Sequence, residues 1–147
     1  MGLQKVAVST AGKKVKGRKR HIVTDTQGHL LHVKSHPANE HDSISGCLVF
    51  EETLNKYPSL QGVCADGGYR GTFVDYVRLA LDCLVEIVLK LPEGWTILPK
   101  RWVVERTFSW MNGSRRLSKD YEISTDSSEN QVKISHIHLL LRRLFHL

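Results

Sequence analysis

The feature that most constrains the fold of this 147-residue chain is a pair of short β-like runs joined by a turn. Residues 21–24 and 30–33 are rich in β-branched and aliphatic side chains, and the segment between them, DTQGH, contains good hairpin-turn residues. Asp25 is therefore expected to be a turn residue. A third β-like run, at residues 6–8, precedes them across a loop rich in glycine and lysine. We predict that the chain begins with a three-stranded antiparallel meander.

The rest of the chain alternates between helical and β-like segments. The predicted elements are a helix at 42–57 capped at Asp42-Ser43, a strand at 61–65, a helix at 72–81, a strand at 83–89, a helix at 101–116 and a final helix capped by Asp126 or Ser127 and running to Leu144. A meander followed by such units predicts an α/β fold, with a mixed five-stranded sheet flanked by helices. This is the ribonuclease H-like layout, in which the ends of the first and fourth strands are neighbours.

Two predicted helices have apolar stripes. In the helix at 101–116, Val104, Phe108 and Met111 recur at helical spacing and are expected to face the core. The final helix is predicted to be amphipathic, with a stripe formed by Ile134, Ile137, Leu141 and Leu144.

Length and composition are typical of one globular domain, residues 1–147, with a basic N-terminal segment at 1–20. The three cysteines are widely spaced and show no CxxC pairing, which indicates buried thiols in a reducing compartment, with neither a disulfide framework nor a zinc site. No apolar run has the length of a membrane span, and no secretion signal is visible. A cytoplasmic, nucleoid-associated location is expected.

The net charge of +6 arises from the N-terminal part of the chain. Residues 1–24 hold seven bases and no acid, whereas the rest of the chain holds 14 bases and 15 acids. Such a segment would attract a polyanion, and the alternative is a solvated basic tail. Nucleic acid is the expected partner because a second basic group occurs later, at Lys100, Arg101, Arg106, Arg115, Arg116 and Lys119.

A candidate chemical site begins at the end of the fourth predicted strand. Residues 63–71 (VCADGGYRG) form an apolar run that ends in the carboxylate of Asp66, followed by two glycines. A carboxylate at a strand tip can face a metal or a phosphate, although Asp66 alternatively only caps the strand before a Gly-rich turn. A second acid, Glu105, shares a predicted helix face with Arg101 and Asn112. The alternative interpretation of Glu105 is an ion pair with an arginine on the helix surface.

Two such carboxylates suit phosphoryl transfer by divalent metal ions. Mg²⁺ prefers oxygen ligands, and two ions about 4 Å apart activate the attacking oxygen and stabilise the leaving one. A third carboxylate is normally required, and no acid precedes Asp25 in this chain. Asp25 is expected at a turn, and Asp42 is expected to cap a helix, with a supporting role near the site possible. Four histidines lack metal-ligand spacing and are expected on strand and loop surfaces: His29, His32, His36 and His41.

Several motifs resemble those of bacterial insertion-sequence DDE transposases. Residues 64–71 (CADGGYRG) resemble the motif of the second catalytic aspartate. Residues 101–110 (RWVVERTFSW), continuing to 115–122 (RRLSKDYE), are similar to the motif of the catalytic glutamate. Residues 12–21 (GKKVKGRKRH) and 37–43 (PANEHDS) also resemble sequence patterns that are usual in this family. These motifs occur in order and span most of the chain.

The resemblance implies that Asp66 and Glu105 are catalytic residues and ligands in a two-ion site for Mg²⁺ or Mn²⁺. Arg101 matches the arginine four positions before the glutamate, whereas Leu98 replaces a tyrosine and Asn112 replaces a basic residue. The family's first aspartate belongs on the first strand, which has no acid here. The resemblance therefore implies an N-terminally truncated catalytic domain whose first-aspartate strand is altered or missing and whose activity is impaired.

The function that the resemblance implies is DNA cleavage and strand transfer in transposition. The expected partners are DNA, at transposon ends and target, and a second copy of this chain or a complete transposase acting in trans. No association with a membrane is expected. The alternatives are a non-catalytic DNA-binding remnant and a non-functional product that folds poorly. The residues expected to contact DNA are Lys13, Lys14, Lys16, Arg18, Lys19, Arg20, Arg70, Arg101, Arg106, Arg115 and Arg116.

Overall fold

The structure is a computed structural model that describes residues 5–11, 18–88, 99–117 and 122–146. Five strands pair in the spatial order β3-β2-β1-β4-β5. Strands β1 to β3 form an antiparallel meander, β4 runs parallel to β1, and β5 runs parallel to β4. The strand bounds are β1 Lys5–Ala11, β2 Arg18–Thr24, β3 Leu30–Pro37, β4 Gly62–Asp66 and β5 Leu84–Val88.

Four α-helices accompany these strands in the described ranges. Their bounds are α1 Asp42–Lys56, α2 Thr72–Leu79, α3 Pro99–Asn112 and α4 Thr125–Leu144, and two short 3₁₀ turns lie at Gly67–Tyr69 and Arg115–Leu117. The prediction of a mixed α/β arrangement is confirmed. No helix in the described ranges is long and apolar enough to cross a membrane.

Two predicted helix caps are wrong. The cap of α1 is His41, whose backbone is extended and whose ring accepts the Ser43 amide, so that Asp42 is the first helical residue. The cap of α4 is Ser124, whose Oγ accepts the Ser127 amide at 3.1 Å. In both cases the cap lies one or more residues earlier than predicted, because an upstream polar side chain satisfies the first free backbone N–H groups.

The core consists of two clusters of buried residues, because successive strand residues point to opposite faces of a sheet. On β2, Val23 belongs to one cluster and its neighbour Ile22 to the other. The Val23 cluster also contains Val49, Phe50, Val63, Ala65, Tyr69, Phe73 and Val77, and the Ile22 cluster contains Val33, Val104, Met111, Leu117 and Val132.

The apolar stripes of the two C-terminal helices behave differently. In α3, Val104 and Met111 are buried and Phe108 packs against them, as predicted. In α4 the stripe is exposed: Ile134, Ile137, Leu141 and Leu144 are 45–71% accessible. This helix instead buries Ser128, Glu129, Val132 and His136. Polar contacts with β3 explain why this face of α4 is buried. The Ser35 amide donates to the Glu129 carboxylate, and the Ser35 hydroxyl donates to Ser128 Oγ.

Candidate functional site

Asp66 is the last residue of β4, and its side chain is half-buried. Its carboxylate caps the 3₁₀ turn Gly67–Tyr69 by accepting the Gly68 amide at 2.9 Å. The chain bends immediately after the strand, so the carboxylate lies at the edge of the sheet where β1 and β4 end. The structure therefore places Asp66 where the sequence predicted it, in a capping contact that satisfies one of its oxygens.

Asp42 lies beside Asp66 at the same edge. A Cβ added to Gly68 would be 3.1 Å from Asp66 Oδ1 and 3.6 Å from Asp42 Oδ2, so the two carboxylates flank this glycine. Asp42 Oδ1 is also 3.1 Å from Lys19 Nζ, and the same ammonium donates to Glu40 O. The lysine supplies a positive charge between β2 and the start of α1. The supporting position expected for Asp42 is consistent with this geometry.

Glu105 lies on α3, and its side chain is exposed. The two following residues fasten α3 to the β2–β3 turn: Arg106 Nη2 donates to Gln27 O, and Thr107 Oγ1 donates to Gly28 O at 2.7 Å. This turn lies at the opposite end of the sheet from Asp66, because β2 is antiparallel to β1 whereas β4 is parallel to it. The helix that carries Glu105 is thus held at the β2–β3 turn, and it also packs against β1 and β4.

The described side chains do not form a complete divalent-metal site. Among them, no three or more His, Cys, Asp or Glu residues gather closely enough to hold a metal ion. Asp42, Asp66 and Glu105 have the oxygen ligands that Mg²⁺ prefers, but Asp42 already pairs with an ammonium. Asp25 accepts the amides of Gln27 and His29, which confirms its role as a turn residue.

Buried histidines lie beneath the Asp42–Asp66 edge. His21 Nδ1 is 2.9 Å from the Tyr69 hydroxyl, and its ring packs edge-on against His36 with centroids 4.9 Å apart. The pKa of His21 is lowered to about 4, chiefly by burial and also by the neighbouring His36, while Asp42 opposes the shift. Burial also lowers the pKa of His36.

The prediction that His32 and His36 lie on strand surfaces is wrong, since both are at most 9% exposed. His32 Nε2 donates to the Glu52 carboxylate at 2.7 Å, a contact with α1 that covers this face of β3. Sequence reasoning also gave His21 and Tyr69 no role. Their contact joins residues 48 positions apart, and no local pattern in the chain points to it.

Most of the described bases that were expected to contact DNA also have contacts within the chain. Arg18 donates to the main-chain oxygens of Glu122, Ile123 and Ser124, and Arg20 donates to Leu117 O. Arg116 pairs with Glu122 at 2.8 Å. The guanidiniums of Arg106 and Arg143 lie over the Trp110 ring, at 4.6 and 3.8 Å from its centroid.

The structure describes only some of the other bases that were expected to contact DNA. Arg70 and Arg115 are exposed. Lys13, Lys14 and Lys16 lie outside the described residues, as does the side chain of Arg101.

Comparisons with known proteins agree with this architecture. A crystal structure of the catalytic core domain of BIV integrase is similar to the chain, with a TM-score of 0.60 and 10% identity over 92% of this chain and 82% of that one. A chain of a cryoEM structure of the simian T-cell lymphotropic virus intasome in complex with PP2A regulatory subunit B56 gamma also has a TM-score of 0.60. It is 12% identical, and the match covers 91% of this chain and 47% of that one. These likenesses show a ribonuclease H-like fold of the integrase catalytic core type.

A search of curated proteins found no match to the sequence. The model of the family described as "Transposase DDE domain" matches residues 4–141, which is nearly the whole chain. The matched region includes Asp66 at the tip of β4, Glu105 on α3 and all four helices up to the last turns of α4. The chain belongs to the transposase DDE domain family.

Proposed function

We propose that this chain is a DNA transposase catalytic domain of the insertion-sequence type, whose chemistry is the cleavage and joining of DNA phosphodiesters. The family match over residues 4–141 carries this proposal. The half-buried carboxylate of Asp66, held at the tip of β4 by the Gly68 amide, supports it. We also propose that residues 1–147 form one domain with a basic N-terminal segment at 1–20.

The proposed catalytic residues and metal ligands are Asp66 and Glu105. Mg²⁺ or Mn²⁺ is the proposed cofactor, and a bound pair of such ions would supply the Lewis acidity that phosphodiester chemistry needs. The described residues fall short of a full ligand set, as they contain no group of three candidate ligands. Weak metal binding and low activity are therefore part of the proposal.

The composition of β1 supports impaired activity. Val8 pairs with Ala65, so Ser9 lies at the level of Asp66 on the neighbouring strand. None of the residues of β1 (KVAVSTA) is acidic. Because Mg²⁺ needs several oxygen ligands, the lack of an acid on this strand would weaken metal binding.

The test is a metal-binding and DNA-nicking experiment on the whole chain. Calorimetric titration with Mg²⁺ or Mn²⁺ is expected to show weak binding that Asp66→Asn and Glu105→Gln each weaken further. Asp75→Asn, at an exposed position in the first turn of α2, is the matched control and should bind metal like the unmodified chain. Nicking of supercoiled DNA is expected to be near background.

Two outcomes would count against parts of the proposal. Strong metal-dependent nicking that Asp66→Asn abolishes would refute the impairment while supporting the transposase chemistry. Metal binding that is the same in Asp66→Asn, Glu105→Gln and Asp75→Asn would refute the assignment of the metal ligands.

A second candidate function is DNA binding without catalysis, and the charge distribution favours it. All of the excess positive charge arises from residues 1–24. Binding through phosphate contacts falls steeply with salt and needs no metal. DNA affinity that drops with salt and is the same with and without Mg²⁺, together with absent nicking, would support this function. The partners proposed for either function are DNA and a second copy or a complete transposase acting in trans.

A further inference from the structure

The turn that follows Asp66 determines where its carboxylate lies. Asp66 has an extended backbone, and its Oδ1 accepts the amide of Gly68 inside the 3₁₀ turn Gly67–Tyr69. A carboxylate that accepts a backbone N–H loses rotamer freedom, because only one side-chain direction reaches the donor. Any residue that fixes this turn therefore also fixes the direction of the Asp66 side chain.

Tyr69 anchors the turn in the core. Its side chain is fully buried, and its ring packs edge-on against Phe73 with centroids 5.2 Å apart. The ring lies directly against α1 at Gly46, where an added Cβ would be only 2.6 Å from Tyr69 Cε1. The aromatic ring thus occupies a close-fitting socket between α1 and α2.

The hydroxyl of Tyr69 meets His21 at the base of the socket. The distance from the oxygen to Nδ1 is 2.9 Å, and His21 is only 1% exposed. His21 belongs to β2, which pairs with β1 on one side and with β3 on the other. The groups that act on the imidazole are His36 on β3, Asp42 on α1 and Lys19 on β2, and its pKa is lowered to about 4, chiefly by burial. The ring is neutral near neutral pH and pairs with the phenol as a neutral partner.

We propose that His21 is a positioning residue for Asp66, acting through the Tyr69 hydroxyl and the Gly67–Tyr69 turn. The hydrogen bond sets the depth of Tyr69 in its socket, and the turn transmits this position to the Gly68 amide and hence to the Asp66 carboxylate. The functional meaning of this link rests on the proposed catalytic role of Asp66. The link itself is a property of the fold and can be measured without any activity.

The test follows the Gly68 amide by NMR in the uniformly ¹⁵N-labelled chain. Tyr69→Phe removes only the hydroxyl, and the expected result is that Gly68 amide exchange becomes about tenfold faster, which is the size of one net hydrogen bond. His21→Leu should have a similar effect. His21→Asn retains a polar atom near the position of Nδ1, and its exchange rate should lie closer to that of the unmodified chain. This rescue separates positioning from a loss of packing.

Thr107→Val is the matched control, because it removes a buried hydroxyl bonded to Gly28 O at the other end of the sheet. It should lower the melting temperature without changing the Gly68 amide. The proposal is overturned if Tyr69→Phe and His21→Leu leave Gly68 exchange unchanged, or if Thr107→Val accelerates it equally. Mg²⁺ binding that is the same in Asp66→Asn and in the unmodified chain would instead refute the proposed role of Asp66 and leave the His21 result intact.

Discussion

The contact between Gly46 and Tyr69 shows how one missing side chain shapes the site. We predict that Gly46→Ala lowers the free energy of unfolding by about 1–3 kcal/mol, since the new methyl group overlaps the buried rings of Tyr69 and Phe73. The better helix propensity of alanine, worth about 1 kcal/mol, offsets only part of this loss. Urea unfolding followed by circular dichroism measures the difference.

Gly113→Ala is the control for this substitution. Its added Cβ would be 3.5 Å from Trp110 O, which is an ordinary contact. This variant should remain within about 0.5 kcal/mol of the unmodified chain, as is usual for surface changes. Equal stability of the two alanine variants would contradict the close fit of Tyr69 against α1.

At the scale of elements, Arg18 joins the start of β2 to the start of α4. Its guanidinium donates to the main-chain oxygens of residues 122, 123 and 124, and Ser124 is the cap of α4. We predict that Arg18→Lys makes the Ser127 and Ser128 amides exchange about fivefold to tenfold faster, because an ammonium cannot reproduce the planar fork of donors. Hydrogen exchange read by NMR measures this.

Arg70→Lys is the matched control, as Arg70 is exposed at the end of the turn after Asp66. It should leave exchange in α4 unchanged. If Arg18→Lys also leaves α4 unchanged but weakens DNA binding, Arg18 belongs to the nucleic-acid surface and the structural role is wrong.

At the scale of the whole molecule, buried histidines predict acid instability. The pKa values of His21, His32, His36 and His136 are all lowered, in each case chiefly by burial. The unfolded chain binds protons near pH 6.5 whereas the folded chain does so only at lower pH, so unfolding takes up protons in acid. Stability should therefore be complete above pH 6.5 and fall as the pH is lowered, by at most ~1.4 kcal/mol per pH unit for each histidine.

Urea unfolding between pH 8 and pH 5 measures this dependence. His136→Gln should reduce its slope, because His136 Nε2 accepts the Leu30 amide at 3.1 Å and protonation would break that contact. His138→Gln, on the exposed side of the same helix, is the control. Stability that stays constant from pH 8 to pH 5 would contradict the prediction.

The sequence by itself determined the order of elements, the turn at Asp25 and the strand tip at Asp66. These features depend on local chemistry: side-chain alternation, turn residues and the freedom of Gly67 and Gly68. Local chemistry also predicted the buried face of α3, because Val104 and Met111 recur at the helical period. The helix caps were missed by one to three residues, because polar side chains near His41 and Ser124 are also of the types that can accept the free amides.

Only the tertiary structure decided which distant side chains meet. It brought Asp42 beside Asp66, His21 to Tyr69 and Arg18 to the start of α4. It also turned α4 so that Val132 and His136, rather than the stripe at Ile134, are buried. The physical reason is that strand register and helix rotation are set by packing and polar contacts across the whole fold, which no short window of sequence contains. The position of Asp66 at the end of β4 could be predicted from the sequence, but the distant residues that contact its turn could not.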